Sequence, residues 1–282
     1  MNFKPEDWSA NAQEYAQIPV NDSPLMAPCQ AMLKGLTDAL PLSESTAVLD
    51  VGCGPGTAIS MFIDNYGTQI PPSTRLIASD FSPVMVDMVR NRQEQEVANP
   101  LWEKLETVVY DAQDLSEIKD EELSHVMGSF VYFMLPNGRK GLSEAHRVLQ
   151  PGGAFALSTW SQVEWIEILN LAALRVRSFL PKGFEILGPW GSVEGVKGEL
   201  EAVGFKNVQA KYVDVFMDAT DPSGFVDGFV RSKNPAVLMV VGDFSPEELD
   251  RACEEWKNIV KERYPNPPRK IKGVAVVAAA RK

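Results

Sequence analysis

The stretch VLDVGCGPG, Val48 to Gly56, decides the fold. An apolar run ends in an acid, Asp50, and glycines then stand at alternate positions, Gly52, Gly54 and Gly56. A short β-branched run closed by glycine reads as a buried strand, Ala47–Gly52. The glycines let backbone approach a ligand closely. Behind them Gly56–Tyr66 reads as a helix with Ile59, Phe62 and Ile63 on one face, ended by Gly67.

The same strand-then-helix unit recurs outward from this stretch. Arg75–Asp80 reads as a second strand, and Ser82 as the N-cap and Pro83 as the first residue of a helix reaching Val89. Glu106–Asp111 and His125–Phe130 are a third and fourth strand. The helix Gly138–Leu149 stops at Gln-Pro-Gly-Gly, and Ala154–Trp160 is a fifth strand. Such alternation predicts an α/β fold with a parallel sheet covered by helices on both faces. Ligands in such sheets bind beyond the carboxyl ends of the strands, where strand order reverses. The glycine loop leaves the first strand at that end.

The remainder is less regular. Gln162–Leu180, Val193–Val203 and Glu247–Tyr264 read as helices, and KGFEILGPWGS as a Gly, Pro and aromatic loop. Lys206–Asp218 and Ile271–Ala280 complete seven strands, mostly parallel, the last expected antiparallel. Residues 1–42, rich in Pro and Asn, predict a helical cap. Residues 43–282 then form the core, with insertions around 161–204 and 219–265.

The composition narrows the partners. The 282 residues carry a net charge of −11 with no basic block, which argues against nucleic acid and against an anionic membrane. Cys29, Cys53 and Cys253 are odd in number and lack a C-x-x-C pair, so neither a disulfide framework nor a metal site is expected. The polar N-terminus has no apolar leader, and no run suits a membrane span. The expectation is a cytoplasmic monomer or homodimer acting on a small molecule.

The loop's spacing then selects the ligand. A phosphate cradle needs a lysine, and none is present; the dinucleotide pattern needs a third glycine at another spacing. Asp50 before the loop and Pro55 within it suit a pyrophosphate poorly. A zwitterionic amino-acid end suits the loop better. Asp80 closes the second strand, where a carboxylate accepts ribose hydroxyls, and Asp111 and Gln113 follow the third, where an adenine edge is read. A nucleoside joined to an amino acid is S-adenosylmethionine, with S-adenosylhomocysteine as its product.

With these motifs the chain resembles the class I S-adenosylmethionine-dependent methyltransferases, closest to the small-molecule group that includes ubiquinone and menaquinone biosynthesis enzymes. The resemblance rests on LDVGCGPG, Ser79–Ser82 with Met85, Asp111–Leu115 and His146–Gly153. It implies a Rossmann-like sheet with the N-terminal cap over the cofactor. It implies that Asp50, Gly52, Cys53, Gly54 and Gly56 meet the methionine end, and Asp80 the ribose. Phe81 and Met85 would pack by the adenine, Asp111, Ala112 and Gln113 meet its edge, and Ser129 and Phe130 line the pocket. Trp8 and Tyr15 are candidates for an aromatic pair closing the site, or for packing within the cap.

The chain departs from the group after the fourth strand. His125 stands where an Asp is usual, and Phe133 and Met134 where a His pair is frequent. Both histidines, His125 and His146, read as structural, so no His base is expected. In-line displacement at a sulfonium carbon can rest on alignment and desolvation. An N, S, acidic O or carbon nucleophile is therefore favoured. Tyr132, Glu164 and Glu167 are candidate polar aids, each also readable as structural or solvent-facing, and Tyr132 is the one carried as a catalytic candidate. Tyr132, Phe133, Trp160, Trp165, Trp190 and Phe229, with Trp8, are the candidates for a hydrophobic acceptor site, such as one for a specialised metabolite or quinone precursor. The alternatives are a methyltransferase-like regulator acting through protein partners, a protein methyltransferase, and a catalyst that uses the sulfonium only as a charge.

Overall fold

The computed structural model describes residues 4–9, 23–179, 188–231 and 234–282. Its sheet has seven strands: β1 Ala47–Val51, β2 Arg75–Asp80, β3 Leu105–Val109, β4 Leu123–Ser129, β5 Leu149–Val163, β6 Lys206–Asp218 and β7 Lys270–Arg281. Their order is β3-β2-β1-β4-β5-β7-β6. The pairs from β3 across to β5 are parallel, and β7 runs antiparallel to both of its neighbours. The last strand is antiparallel, as the sequence predicts.

Strand alternation divides the core. Leu49, Val51 and Ile77 join one apolar cluster, with Leu142 and Ala145 of the helix Gly138–Val148. Val48, Leu76 and Ala78 join the other, with Ile59 and Phe62 of the helix Thr57–Tyr66. Both faces of β1 are thus covered, and all five of its residues are buried. The chain passes outward from β1 through β2 to β3, then returns to β4 on the other side of β1. The loops after β1 and β4 therefore part, and a cleft opens between them.

The helix Met26–Ala39 corrects the expected cap. Met32, Leu33 and Leu36 are wholly buried in the second cluster, so this helix is part of the core and covers the sheet. It sits close on β7, where a Cβ on Gly35 would lie 3.1 Å from Ala279 Cβ. Its end is fixed to the sheet, since His125 Nε2 bonds the Leu40 carbonyl at 3.1 Å. Among the described residues of this region, Lys4, Pro5, Trp8 and Ser23 to Ala27 reach the cleft, Met26 and Ala27 from the helix's first turn.

Other boundaries shift for local reasons. β3 stops before Asp111, because Asp111 Oδ1 accepts the Gln113 N–H at 2.8 Å and turns the chain. β5 begins ahead of the Pro-Gly-Gly turn, because Leu149 pairs with Leu123 and Gly152 N–H reaches the Lys282 carbonyl at 3.1 Å. The helix after β5 is Glu164–Val176, shorter than expected, since Gln162 and Val163 still pair with β7. Ser82 caps the helix Pro83–Gln95 from the predicted position.

Between β6 and β7 lies a helical lobe: Pro222–Phe225, a π turn Val226–Val230, Pro235–Val241 and Pro246–Arg263. Trp256 of the last helix is buried and donates its indole N–H to the Trp165 carbonyl at 3.2 Å, which locks the lobe to the helix after β5. Among the described residues no helix is long and apolar enough to cross a membrane.

Candidate functional site

The cleft at the carboxyl ends of the strands has a volume of about 2220 Å³ between the described residues. One end is formed by Gly52, Gly54, Asp80, Phe81, Met85, Asp111, Ala112 and Gln113. These come from the loops after β1, β2 and β3. The other end is formed by the tips of β4 and β5, the far ends of β6 and β7, and the helical lobe.

At the first end the loops are tied to each other. Asp80 accepts the Gly54 N–H on Oδ2 and the Ser82 N–H on Oδ1, both at 2.9 Å. A carboxylate offers about four acceptor positions, so with the Phe81 N–H also directed at it about one remains for a hydroxyl of a ligand. Burial pushes the Asp80 pKa upward, and the N–H groups of Ser82, Gly54 and Phe81 oppose the shift. Gly52 and Gly54 both hold positive φ, 63° and 52°, which turns the chain sharply between β1 and the helix behind it. Gly54 has open space where a side chain would be.

Three residues expected at the methionine end stand behind this loop and do not line the cleft. Asp50 is wholly buried and neither carboxylate oxygen has a hydrogen-bond partner. Desolvation raises its pKa to about 8; the nearby Asp80 adds to the shift, and the Ile59 amide opposes it. Cys53 packs in the second core cluster, where burial pushes its thiol well up. Gly56 is the N-cap of the helix Thr57–Tyr66, facing Val89.

At the other end the expected aromatic residues separate into two groups. Phe130, Phe133, Trp160, Trp165 and Phe229 line the cleft, and so does Trp8 on the side of Phe81. Phe130 lies tilted against Trp160, centroids 4.5 Å apart and 34° between the planes, and Trp160 meets Trp165 edge-on at 5.5 Å. Tyr132 and Trp190 belong to the core instead. Tyr132 is buried edge-on against Phe155 at 5.4 Å, and its hydroxyl has no partner. Trp190 packs against Gly138 at the start of the helix after β4. Tyr15 lies outside the described residues.

Neither histidine reaches the cleft. His125 is wholly buried between Ser124 Oγ, at 2.9 Å, and the Leu40 carbonyl. His146 packs edge-on against Phe205 at 5.0 Å. Glu164 also has a structural place, accepting from the Tyr264 hydroxyl at 2.6 Å and pairing with Arg263.

Several lining residues were not among the sequence candidates. Leu25 and Ala27 approach at the start of the helix Met26–Ala39. Asp214 to Asp218 and Lys270 approach because β6 and β7 outrun the central strands, 13 and 12 residues against five in β1. Ser158 supports the site from behind: its hydroxyl accepts the Phe130 N–H at 3.2 Å. The signal for it was a polar pair, Ser158 and Thr159, in an otherwise apolar strand.

Residues 48–153 match a family profile described as a methyltransferase domain. The chain is 34% identical to methyltransferase ucsB of an Acremonium species over 279 residues, 98% of this chain and 95% of that one. It is 28% identical to the acetylaranotin bis-thiomethyltransferase of Aspergillus terreus over 172 residues, 59% of this chain and 56% of that one. The YcgJ protein of Bacillus subtilis has the same fold, with a TM-score of 0.56 at 16% identity, covering 90% of this chain and 97% of that one. Kinship that runs almost end to end with a methyltransferase, on this sheet and with this glycine turn, makes the chain a member of the class I S-adenosylmethionine-dependent methyltransferases.

Proposed function

We propose that the protein transfers a methyl group to an apolar, ring-bearing small molecule held between the tips of β4 and β5 and the helical lobe. The observation that carries this reading is the continuity of the cleft. The polar end around Gly54 and Asp80 opens without a break onto Phe130, Trp160, Trp165 and Phe229. The aromatic rings there favour a ring-bearing ligand, and Asp214, Asp218 and Lys270 along the same end supply polar groups.

The first end fits S-adenosylmethionine. The remaining acceptor capacity of Asp80 suits a ribose hydroxyl, Phe81 and Met85 offer apolar surface for the adenine, and Asp111, Ala112 and Gln113 stand at its edge. The glycine turn leaves room for the methionine end. Bound there, the cofactor supplies an electrophilic methyl on a positively charged sulfur. The chain's own residues align the acceptor and exclude water from it.

With neither histidine lining the cleft, an acceptor atom that is neutral or easily deprotonated fits best. A thiol, an acidic phenol, an amine or a carbon acid meets that condition. The name of the Aspergillus terreus relative describes transfer to thiols, which suits this reading. Pro5, Trp8 and Leu25 at one end and the lobe between β6 and β7 at the other would act as separate covers.

Purified protein incubated with methyl-labelled S-adenosylmethionine and a panel of aromatic thiols, phenols and amines tests the proposal. Label is expected on an apolar ring-bearing acceptor. Transfer confined to peptides, or cofactor binding with no transfer across the panel, would overturn it.

A further inference from the structure

The lobe between β6 and β7 begins with PSGFVDGFV, Pro222 to Val230. Asp221 starts it, its Oδ1 accepting the Ser223 N–H at 3.1 Å, and Pro222 takes the first helical position. Val226 and Val230 are buried in the core, and Phe225 stacks on the buried Trp256, centroids 4.5 Å apart and 9° between the planes. After Phe225 the helix widens to a π turn, in which the Arg231 N–H reaches the Val226 carbonyl at 3.1 Å. Such turns are rare and often stand at functional sites. Phe225, Gly228 and Phe229 line the acceptor end of the cleft, the centroids of the two rings 5.4 Å apart.

Gly228 is the residue of this stretch that its own surroundings do not require. Glycine weakens a helical turn, and a positive φ or a close neighbour is the usual demand for it. Gly228 has neither: its φ is not left-handed, and a Cβ there would have no described residue within 4 Å. Gly224, one turn earlier, differs, since its Cβ would meet Asp221 Oδ2 at 2.7 Å. Gly198, in the helix Val193–Val203, also has open space but is not part of the cleft lining. Gly228 alone of the three combines open space with a place on the cleft beside two aromatic rings.

We propose that Gly228 is a specificity-determining residue: the room left by its missing side chain, beside Phe225 and Phe229, receives part of the acceptor's ring system. A fused two-ring acceptor occupies that room, and a one-ring acceptor does without it. The inference rests on the acceptor end proposed above and names the ring systems that this end takes.

Titration calorimetry on the full chain saturated with S-adenosylhomocysteine, with phenol and 2-naphthol as probes, tests it. The parent is expected to bind 2-naphthol more tightly than phenol. Gly228→Leu should weaken 2-naphthol by roughly ten-fold or more, the size of an overfilled site, and phenol by no more than about two-fold, with S-adenosylhomocysteine affinity as in the parent. Gly228→Ala should act in the same direction more weakly, with a melting temperature at or above the parent's, because alanine favours a helical turn. A role in the fold alone would lower that temperature instead. Gly198→Ala is the matched control: it should raise the melting temperature and leave both probes at parental affinity. Equal weakening of the two probes in Gly228→Leu, or no change in either, overturns the proposal. A parent that binds neither probe overturns the acceptor reading itself and this inference with it, a result distinct from a parent that binds both and a variant that loses neither.

Discussion

The Gly54 N–H donates to Asp80 Oδ2 at 2.9 Å, which ties the turn after β1 to the tip of β2. With the Ser82 N–H on the other oxygen, one carboxylate orders both loops at the polar end of the cleft. Asp80→Asn keeps the shape but replaces an acceptor by a donor, so one N–H loses its partner. An unsatisfied buried group costs about 1–3 kcal/mol. The variant should bind S-adenosylmethionine roughly ten-fold or more weaker and melt several degrees lower. Calorimetry and thermal denaturation check it; unaltered affinity would remove Asp80 from the ribose site.

Gly52 and Gly54 separate folding from binding. A methyl on Gly52 meets Val131 at 2.5 Å in a left-handed backbone, so Gly52→Ala pays for strain and for a clash. Gly54→Ala has the same kind of strain but nothing within 4 Å. Gly54→Ala should therefore cost only about 1 kcal/mol of stability, while its methyl intrudes on the ligand space. Gly52→Ala should cost at least twice that. Denaturant unfolding ranks the stabilities, and the affinities should fall in both.

Asp50 predicts a stability that depends on pH. Its carboxyl is raised from the ordinary 3.8 to about 8 by burial. Between those values the folded chain holds a proton that the unfolded chain releases, so the contribution of Asp50 to stability is lost as pH rises through this window. Asp50→Asn removes the titrating group and keeps the volume. Without cofactor, its melting temperature should gain on the parent's between about pH 5 and 8, by roughly 5 °C at the upper end. Parallel curves across that range would show that Asp50 is ionised in the fold, with a partner.

Much of the polar end was legible because its residues follow strand ends directly. Strand, glycines and acid fix where Gly54 and Asp80 lie with little help from the rest of the chain. Asp50 shows the limit: its position at the end of β1 was readable, but burial behind the turn depends on the helix Thr57–Tyr66 packing over it. The helix Met26–Ala39 was read as a cap because nothing local distinguishes a core helix from a covering one. Its partners, Ala279 on β7 and His125 on β4, lie far along the chain. The acceptor end was least legible for the same reason. Trp165 faces the cleft, and Trp190, just as apolar, packs on Gly138.

Tyr132 gives the sharpest test of that distinction. From sequence it is the polar group nearest the chemistry; in the fold its ring is buried against Phe155 and its hydroxyl is orphaned. Desolvation, with Asp50 nearby, pushes its pKa up, so at neutral pH it is a phenol with no acceptor for its proton. Tyr132→Phe keeps the ring and deletes the unsatisfied oxygen. It should be neutral to stabilising by about 1 kcal/mol, raising the melting temperature by a few degrees, with cofactor affinity and methyl transfer at parental levels. A folded variant that bound cofactor normally and lost ten-fold or more in transfer, an effect of about 1.4 kcal/mol on the barrier, would return the hydroxyl to the reaction and imply that the Tyr132 turn swings into the cleft when an acceptor is bound.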